Sequence, residues 1–137
     1  MSRNRRPKAR AALMQMLFQM EAQGDFSEAA KDSFVARYME DRSQEAYFTS
    51  CYEAVRDNLG AIDAQIGAAS ENWKLSRISR IDMSILRIAV AEIMFLDDVP
   101  KAVSADEAVR MAKIYSSDDS HKFINGILGR IIRSAGE

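Results

Sequence analysis

The residues best suited to bind a ligand stand at the start of the chain. Five of the first ten residues are basic and none is acidic: Arg3, Arg5, Arg6, Lys8 and Arg10. The chain has 19 bases against 20 acids, so without these five it has 14 bases and a net charge of −6. A basic arm on an acidic body indicates an anionic ligand such as nucleic acid, because phosphates attract Arg and Lys. The alternative is a solvated basic tail.

If the residues after the arm form a helix, the aromatic side chain of Phe18 lies on the same stripe of the helix surface as Arg10. Arg10, Met14 and Phe18 are spaced i, i+4, i+8 and share a stripe. Phe18 lies about 140° around the helix from Leu13 and is therefore off the apolar seam. A ring beside arginines is typical of surfaces that bind single-stranded RNA by stacking. The alternative is that Phe18 covers the second half of the protein.

A second candidate site is the segment Ser120-His121-Lys122-Phe123, which is predicted to open the last helix. Backbone amides at a helix N-terminus attract anions, Lys122 is basic, and Asn125 can contact the edge of a base. His121 is the only histidine and has no histidine partner for a metal site. The alternative is an ordinary cap followed by Phe123 in the core, and the residues alone favour that alternative.

Catalysis finds little support in the sequence. No glycine-rich phosphate loop, zinc-protease motif or cysteine pair is present. Cys51, the single cysteine, lies in an apolar seam and is predicted to be core; it excludes an internal disulfide and fits a reducing compartment. No apolar run approaches the ~18 residues that a membrane span needs. We therefore expect a cytoplasmic protein without catalytic residues, metal or cofactor.

Apolar spacing predicts an all-α fold of about seven helices that positions these candidates. Hydrophobic residues make up 47% of the chain, and only two prolines and six glycines interrupt it, which favours long helices. We divide the chain into a basic arm over residues 1–7, an N-terminal helical half over residues 8–72 and a C-terminal helical half over residues 73–137.

In the first half, helices are predicted over residues 8–23 and 27–39. Pro7 predicts that the arm is extended up to about residue 7 and helical only after it. A single long helix is predicted next, because apolar residues recur at intervals of three and four: Phe48, Cys51, Val55, Leu59, Ile62 and Ile66.

In the second half, Ile78 and Ile81 are predicted to lie on a short helix. An apolar helix should follow and end before Asp97-Asp98-Val99-Pro100. Ser104 and Glu107 have the spacing of a capping box for the next helix, and Ser120 is the predicted cap of the last one.

Several segments resemble one known family in order and spacing. They are Ile85-Leu86-Arg87-Ile88-Ala89 with Glu92-Ile93, Asp98-Val99-Pro100, and Lys122-Phe123-Ile124-Asn125-Gly126-Ile127-Leu128. The chain is similar over essentially its whole length to the NusB family of bacterial transcription antitermination factors. The resemblance implies an all-helical fold of two packed, three-helix-like subdomains. It also implies a binding role: members pair with NusE, a small-subunit ribosomal protein, and bind boxA RNA in ribosomal transcripts. With other Nus factors they keep RNA polymerase from terminating early.

The resemblance also implies roles for single residues. The RNA-binding arm of the family corresponds to Arg3, Arg5, Arg6, Lys8 and Arg10. Phe18 stands where the family usually has tyrosine, so a stacking ring is kept and a hydroxyl is lost. Phe123, with Lys122 and Asn125, matches the second RNA-contact region, which favours a binding role for Phe123.

The resemblance places the NusE face around the helix that begins near Asp82. Asp82 and Glu92 are therefore the expected partner contacts. Two other functions were weighed. One is a NusB-like domain of a ribosomal RNA cytosine methyltransferase, which needs a downstream α/β domain that this sequence, ending at Glu137, does not contain. The other is a non-catalytic helical adaptor whose basic arm is incidental.

Overall fold

The computed structural model describes residues 2–71 and 74–135, with side chains from residue 5 onward. This part of the chain forms helices and turns without a strand, which confirms the predicted all-α class. The predicted start of the C-terminal half at residue 73 and the predicted role of the Arg3 side chain lie outside the described residues. The helices are α1 (Ser2–Gln23), α2 (Glu28–Tyr38), α3 (Glu45–Asp57), α4 (Leu59–Ala69), α5 (Arg80–Phe95), α6 (Lys101–Tyr115) and α7 (Ser120–Ser134).

Helix α5 is the centre of the fold. Every residue from Asp82 to Ile93 is buried, because α5 packs against α1, α3, α4, α6 and α7. A surface helix buries only one stripe of apolar residues, whereas α5 is enclosed on all sides. None of the described helices is long and apolar enough to cross a membrane.

Helix α1 begins at Ser2 and contains Pro7, so the predicted extended segment up to residue 7 is wrong. Pro7 lacks an N–H and removes one hydrogen bond near the start of the helix. Contacts with the connection between α2 and α3 hold this turn in place. The guanidinium of Arg5 lies 3.8 Å from the Asp41 carboxylate, and Arg6 Nε donates to Gln44 Oε1.

The single long helix predicted through residues 48–66 is in fact two helices, α3 and α4, because the helix is interrupted at Asn58. Asn58 has φ −128° and ψ 26°, and its side-chain amide donates to the carbonyl of Ala54 at 2.9 Å. Asn side chains compete in this way for backbone groups of a helix. The apolar seam continues across the break, since Val55 and Ile62 on either side are fully buried.

Three further local predictions are corrected. Ile78 and Ile81 do not share a short helix: Ile78 follows a single 3₁₀ turn, Leu75–Arg77, and Ile81 lies in α5. Ser104 does not cap α6, because Pro100 occupies the N-cap and the helix starts at Lys101. Ser120 is the first residue of α7 rather than its cap, which is Asp119.

Helix α1 ends at the predicted residue, Gln23, and α2 begins at Glu28, one residue after its predicted start. Gly24 has a positive φ of 68° directly after α1, a conformation that glycine adopts without steric cost. Ser27 precedes α2, and its hydroxyl accepts a hydrogen bond from the amide of Ala30 at 3.2 Å, as an N-cap does.

Candidate nucleic-acid interface

The bases of the arm divide between the surface and the interior. Arg5 and Lys8 are exposed. Arg6 is half-buried and turns towards α3, where its guanidinium lies over the Tyr47 ring, 4.2 Å from the ring centre. Its Nε also donates to Gln44. Arg5 and Lys8 are therefore presented to solvent, whereas Arg6 is engaged within the protein.

Arg10 is not a surface base, so its predicted contact with RNA is wrong. Its side chain is 4% exposed and forms a bidentate pair with Glu92, with Nε–Oε2 at 2.8 Å and Nη2–Oε1 at 3.2 Å. Glu107 lies 3.6 Å away. Burial alone would lower the pKa of Arg10, but the hydrogen bond to Glu92 and the neighbouring acidic groups raise it above its ordinary value. Arg10 is a permanently charged part of the core.

Glu92 is a buried acceptor that joins four helices, so its predicted contact with a partner is also wrong. The carboxylate is on α5 and 1% exposed. Besides Arg10 on α1, it accepts hydrogen bonds from the Tyr47 hydroxyl on α3 and from Ser104 Oγ on α6, the latter at 2.7 Å. Burial raises the pKa of Tyr47, which keeps this hydroxyl protonated and able to donate. The Ser104 hydroxyl is used here instead of in a capping box.

Phe18 lies in an open groove of about 450 Å³. Phe18 is 37% exposed. The groove joins both halves of the chain, since its wall includes Phe34 and Tyr38 from α2, Ile81 from α5 and Tyr115 from α6. Phe18 thus shares a groove with residues of the second half and remains partly exposed to solvent.

A second pocket, of about 280 Å³, lies beside Phe123. Phe123 is half-buried at the start of α7, while Lys122 and Asn125 beside it are exposed. Arg77 and Asp119 also line the pocket. The arrangement combines an aromatic wall, a base and exposed polar groups, which suits an unpaired nucleotide.

Asp82 anchors the turn that leads into α7. Its carboxylate is 6% exposed and accepts hydrogen bonds from Ser116 Oγ at 2.7 Å and from Ser120 Oγ at 2.9 Å. Because Asp82 also lines the pocket of Phe123, it shapes that pocket through the turn. Its contact with a partner stays a prediction.

The two aromatic sites are neighbours across the first turn of α5. Ile81 lines the groove of Phe18, and the next residue, Asp82, lines the pocket of Phe123. The end of α6 repeats this arrangement, with Tyr115 in the groove and Ser117 in the pocket. The fold therefore brings two elements distant in sequence, α1 and α7, to adjoining sites.

Sequence reasoning missed Tyr38, Tyr115 and Arg77 as site residues. Tyr38 lies in the helix predicted over residues 27–39, and 54% of it is exposed. Tyr115 directly precedes the polar segment Ser116-Ser117-Asp118-Asp119. An aromatic residue beside such a turn is a sequence signal from which Tyr115 could have been predicted as a site residue. Arg77 carries no such signal, because only the 3₁₀ turn brings it to Phe123.

The buried thiol of Cys51 lies apart from these surfaces, as predicted. Its sulfur is fully buried and 3.9 Å from the carbonyl of Ile88. Burial raises the pKa of this thiol well above its ordinary value, which leaves it protonated and a poor nucleophile. Among the described residues, no group of three His, Cys, Asp or Glu side chains could hold a metal ion.

Comparisons with known proteins agree along nearly the whole chain. The NusB family model matches residues 7–133. The transcription antitermination protein NusB of Listeria monocytogenes serotype 4a (strain HCC23) is 42% identical over 127 residues, which cover 93% of this chain and 95% of that protein. The protein of the same name from Alkaliphilus oremlandii (strain OhILAs) is 37% identical over 131 residues, covering 96% and 95%.

Solved structures give the same result for the fold. NusB of T. maritima superposes with a TM-score of 0.84 at 34% identity, covering 93% of this chain and 90% of that one. A chain from the complex of the antitermination factors NusB and NusE with double-stranded RNA superposes with a TM-score of 0.82. Its identity is 21%, over 94% of this chain and 96% of that one, and it bears on the fold alone. The fold, the family match and the identity to these relatives place the chain in the NusB family.

Proposed function

We propose that this protein is a transcription antitermination factor that binds boxA RNA of ribosomal transcripts together with NusE. The observation that carries the proposal is that α1 presents the bases Arg5 and Lys8 and the aromatic Phe18 to solvent. A base and an aromatic ring on one helix supply phosphate contact and base stacking, the two interactions that hold single-stranded RNA.

The pocket of Phe123 supplies a second stacking position for the same strand. It adjoins the groove of Phe18 at the start of α5, so one single strand can reach both rings. Lys122 and Arg77 would neutralise phosphate there, and Asn125 would contact a base edge. Lys122, Phe123 and Asn125 therefore remain in the proposed RNA site, together with Arg3, Arg5 and Lys8.

The charge distribution supports binding along one side only. Outside the five bases of the arm the chain has a net charge of −6, which repels phosphates elsewhere on the surface. The RNA affinity that so few outward bases supply is modest. NusE would increase that affinity and orient the RNA. In the cell, the complex would act with other Nus factors and RNA polymerase in the cytoplasm.

The proposed role is binding without catalysis. The relatives that carry the name transcription antitermination protein are matched over about 95% of their own length, and this does not favour a methyltransferase domain. A helical adaptor without RNA selectivity is the remaining alternative, and it predicts protein partners only.

The test is a fluorescence-anisotropy titration of a boxA RNA and of a scrambled RNA of equal length, with and without NusE. We expect selective binding of boxA RNA that becomes tighter when NusE is added. Equal, weak and salt-sensitive binding of both RNAs would overturn the proposal and leave the adaptor function.

A further inference from the structure

We infer that Gln44 and Tyr47 hold the basic start of α1 as a helix on the surface of α3, with Arg6 as its anchor. Their role is to position Arg5 and Lys8 on the side of α1 that faces Tyr38, a residue that also lines the groove of Phe18. The inference rests on the proposed RNA binding, and it assigns Arg6 to the protein interior instead of to phosphate.

Helix geometry separates the bases into two groups. At 100° per residue, Arg6 lies about 160° around α1 from Lys8, and so on nearly the opposite side of the helix. The observed contacts agree: Arg6 and Arg10 both lie over the Tyr47 ring, at 4.2 Å and 5.5 Å from its centre, while Lys8 is exposed. The outward group keeps this direction only while the first turns of α1 remain helical.

The anchor is rigid on the side of α3. Tyr47 is buried, and its hydroxyl donates to the carboxylate of Glu92. This hydrogen bond restrains the ring on which Arg6 stacks. Gln44 precedes α3, and its side chain makes no capping hydrogen bond with that helix. The amide oxygen of Gln44 is instead used by Arg6 Nε.

The other contact of the arm is weaker. Arg5 and Asp41 are 3.8 Å apart, and each side chain is about half exposed, at 50% and 53%. Exposed pairs of this kind contribute little and yield to solvent. Arg5 can therefore exchange Asp41 for a phosphate. Arg6 would have to give up its contacts with both the Tyr47 ring and the Gln44 side-chain amide.

Gln44→Ala tests the anchor without disturbing the core. The matched control is Gln65→Ala, which removes a half-buried glutamine from α4. Hydrogen exchange measured by mass spectrometry reports protection at the start of α1 without RNA, and anisotropy reports binding of boxA RNA. We expect Gln44→Ala to lower both protection and RNA affinity about 3–10-fold, and Gln65→Ala to change neither.

Arg6→Lys is the second variant, because lysine keeps the charge and loses the planar group that stacks on Tyr47. Reduced protection and weaker RNA binding in Arg6→Lys support the anchor. Unchanged values in both assays would show that Arg6 acts only as a charge, which overturns the inference.

The remaining outcomes are distinct. Unchanged protection in Gln44→Ala overturns the anchor. Reduced protection with unchanged or tighter RNA binding overturns the positioning role. If even the unaltered protein does not prefer boxA RNA while Gln44→Ala lowers protection, the proposed function fails and the anchor stands.

Discussion

Glu92 shows how much depends on one buried carboxylate. It is the acceptor for Arg10, Tyr47 and Ser104, and its removal leaves the Arg10 cation buried without its closest partner. We expect Glu92→Ala to lower the free energy of unfolding by about 3–5 kcal/mol, as measured by urea denaturation. The double variant Arg10→Met, Glu92→Leu removes both charges and should lose less; an equal or larger loss would show that the unpaired charge is not the cause.

Loss of the Phe18 ring should weaken RNA binding while the fold stays intact, because Phe18 is exposed and is not part of the core. Removing a ring that stacks on a base costs about 1–3 kcal/mol, so we expect Phe18→Ala to bind boxA RNA about 5–100-fold more weakly. Gln23→Ala, at an exposed position of α1 outside the groove, is the control. Unchanged affinity in Phe18→Ala, with the circular dichroism spectrum preserved, would refute the stacking role.

The raised pKa of Cys51 has a pH consequence. The folded protein keeps this thiol protonated where an unfolded chain ionises it, so the unfolded state binds fewer protons above the ordinary thiol pKa of about 8.5. The contribution of Cys51 to stability is therefore present below that pH and decreases as pH rises above it. We expect Cys51→Ala to have a shallower loss of stability than the unaltered protein between about pH 8.5 and 10, measured by urea unfolding.

The RNA contact predicted for Arg10 failed because residues spaced by four do not stay on one side of a helix. Arg10 and Phe18 were placed on one stripe, but a spacing of four residues advances about 40° beyond a full turn each time. Over two such steps the stripe passes from the face that meets α5 to the face that meets solvent. The sequence does not indicate that Arg10 pairs with Glu92, 82 residues away, because that pairing depends on tertiary packing.

Among the elements, the end of α1 depends on a glycine. Gly24 has φ +68°, a region in which an L side chain meets the backbone. We expect Gly24→Ala to destabilise the protein by about 1 kcal/mol. Gly60→Ala is a matched control: Gly60 lies in α4 with open space around its missing Cβ, so alanine should be neutral or stabilising there. Urea unfolding of both variants checks the opposite signs; equal effects would refute the role of φ.

Elements were predictable where periodicity and local chemistry agree. The end of α1 and the start of α2 lie within one residue of their predicted positions, because neighbouring residues alone decide them. The break at Asn58 was hidden because the apolar residues keep their spacing across it, so the seam was found and the interruption was not. Ser104 failed as a cap because its hydroxyl bonds to α5, which no local pattern records.

For the whole molecule, the number of outward bases sets the response to salt. If only Arg3, Arg5 and Lys8 of the arm contact phosphate, the arm contributes a log–log slope of about −2, compared with about −3.5 for all five bases, at ~0.7 per single-strand contact. We expect Arg5→Gln and Lys8→Gln each to reduce the slope of boxA binding by about 0.7.

The control for the salt measurement is Arg56→Gln, a base already paired with Glu28 and Asp57. Titrations at several salt concentrations give the slope for each variant. A slope that is unchanged in both Arg5→Gln and Lys8→Gln would show that the arm does not meet phosphate.

The enclosure of α5 limits how this protein can vary. In most helices the positions that accept many substitutions recur every three or four residues, on the side that faces water. The twelve residues from Asp82 to Ile93 have no such side. A saturation scan should therefore show an unbroken band of intolerance there, and periodic tolerance in α2. We expect sequence variation to concentrate in the helices around α5, whose binding surfaces can change while α5 stays the same.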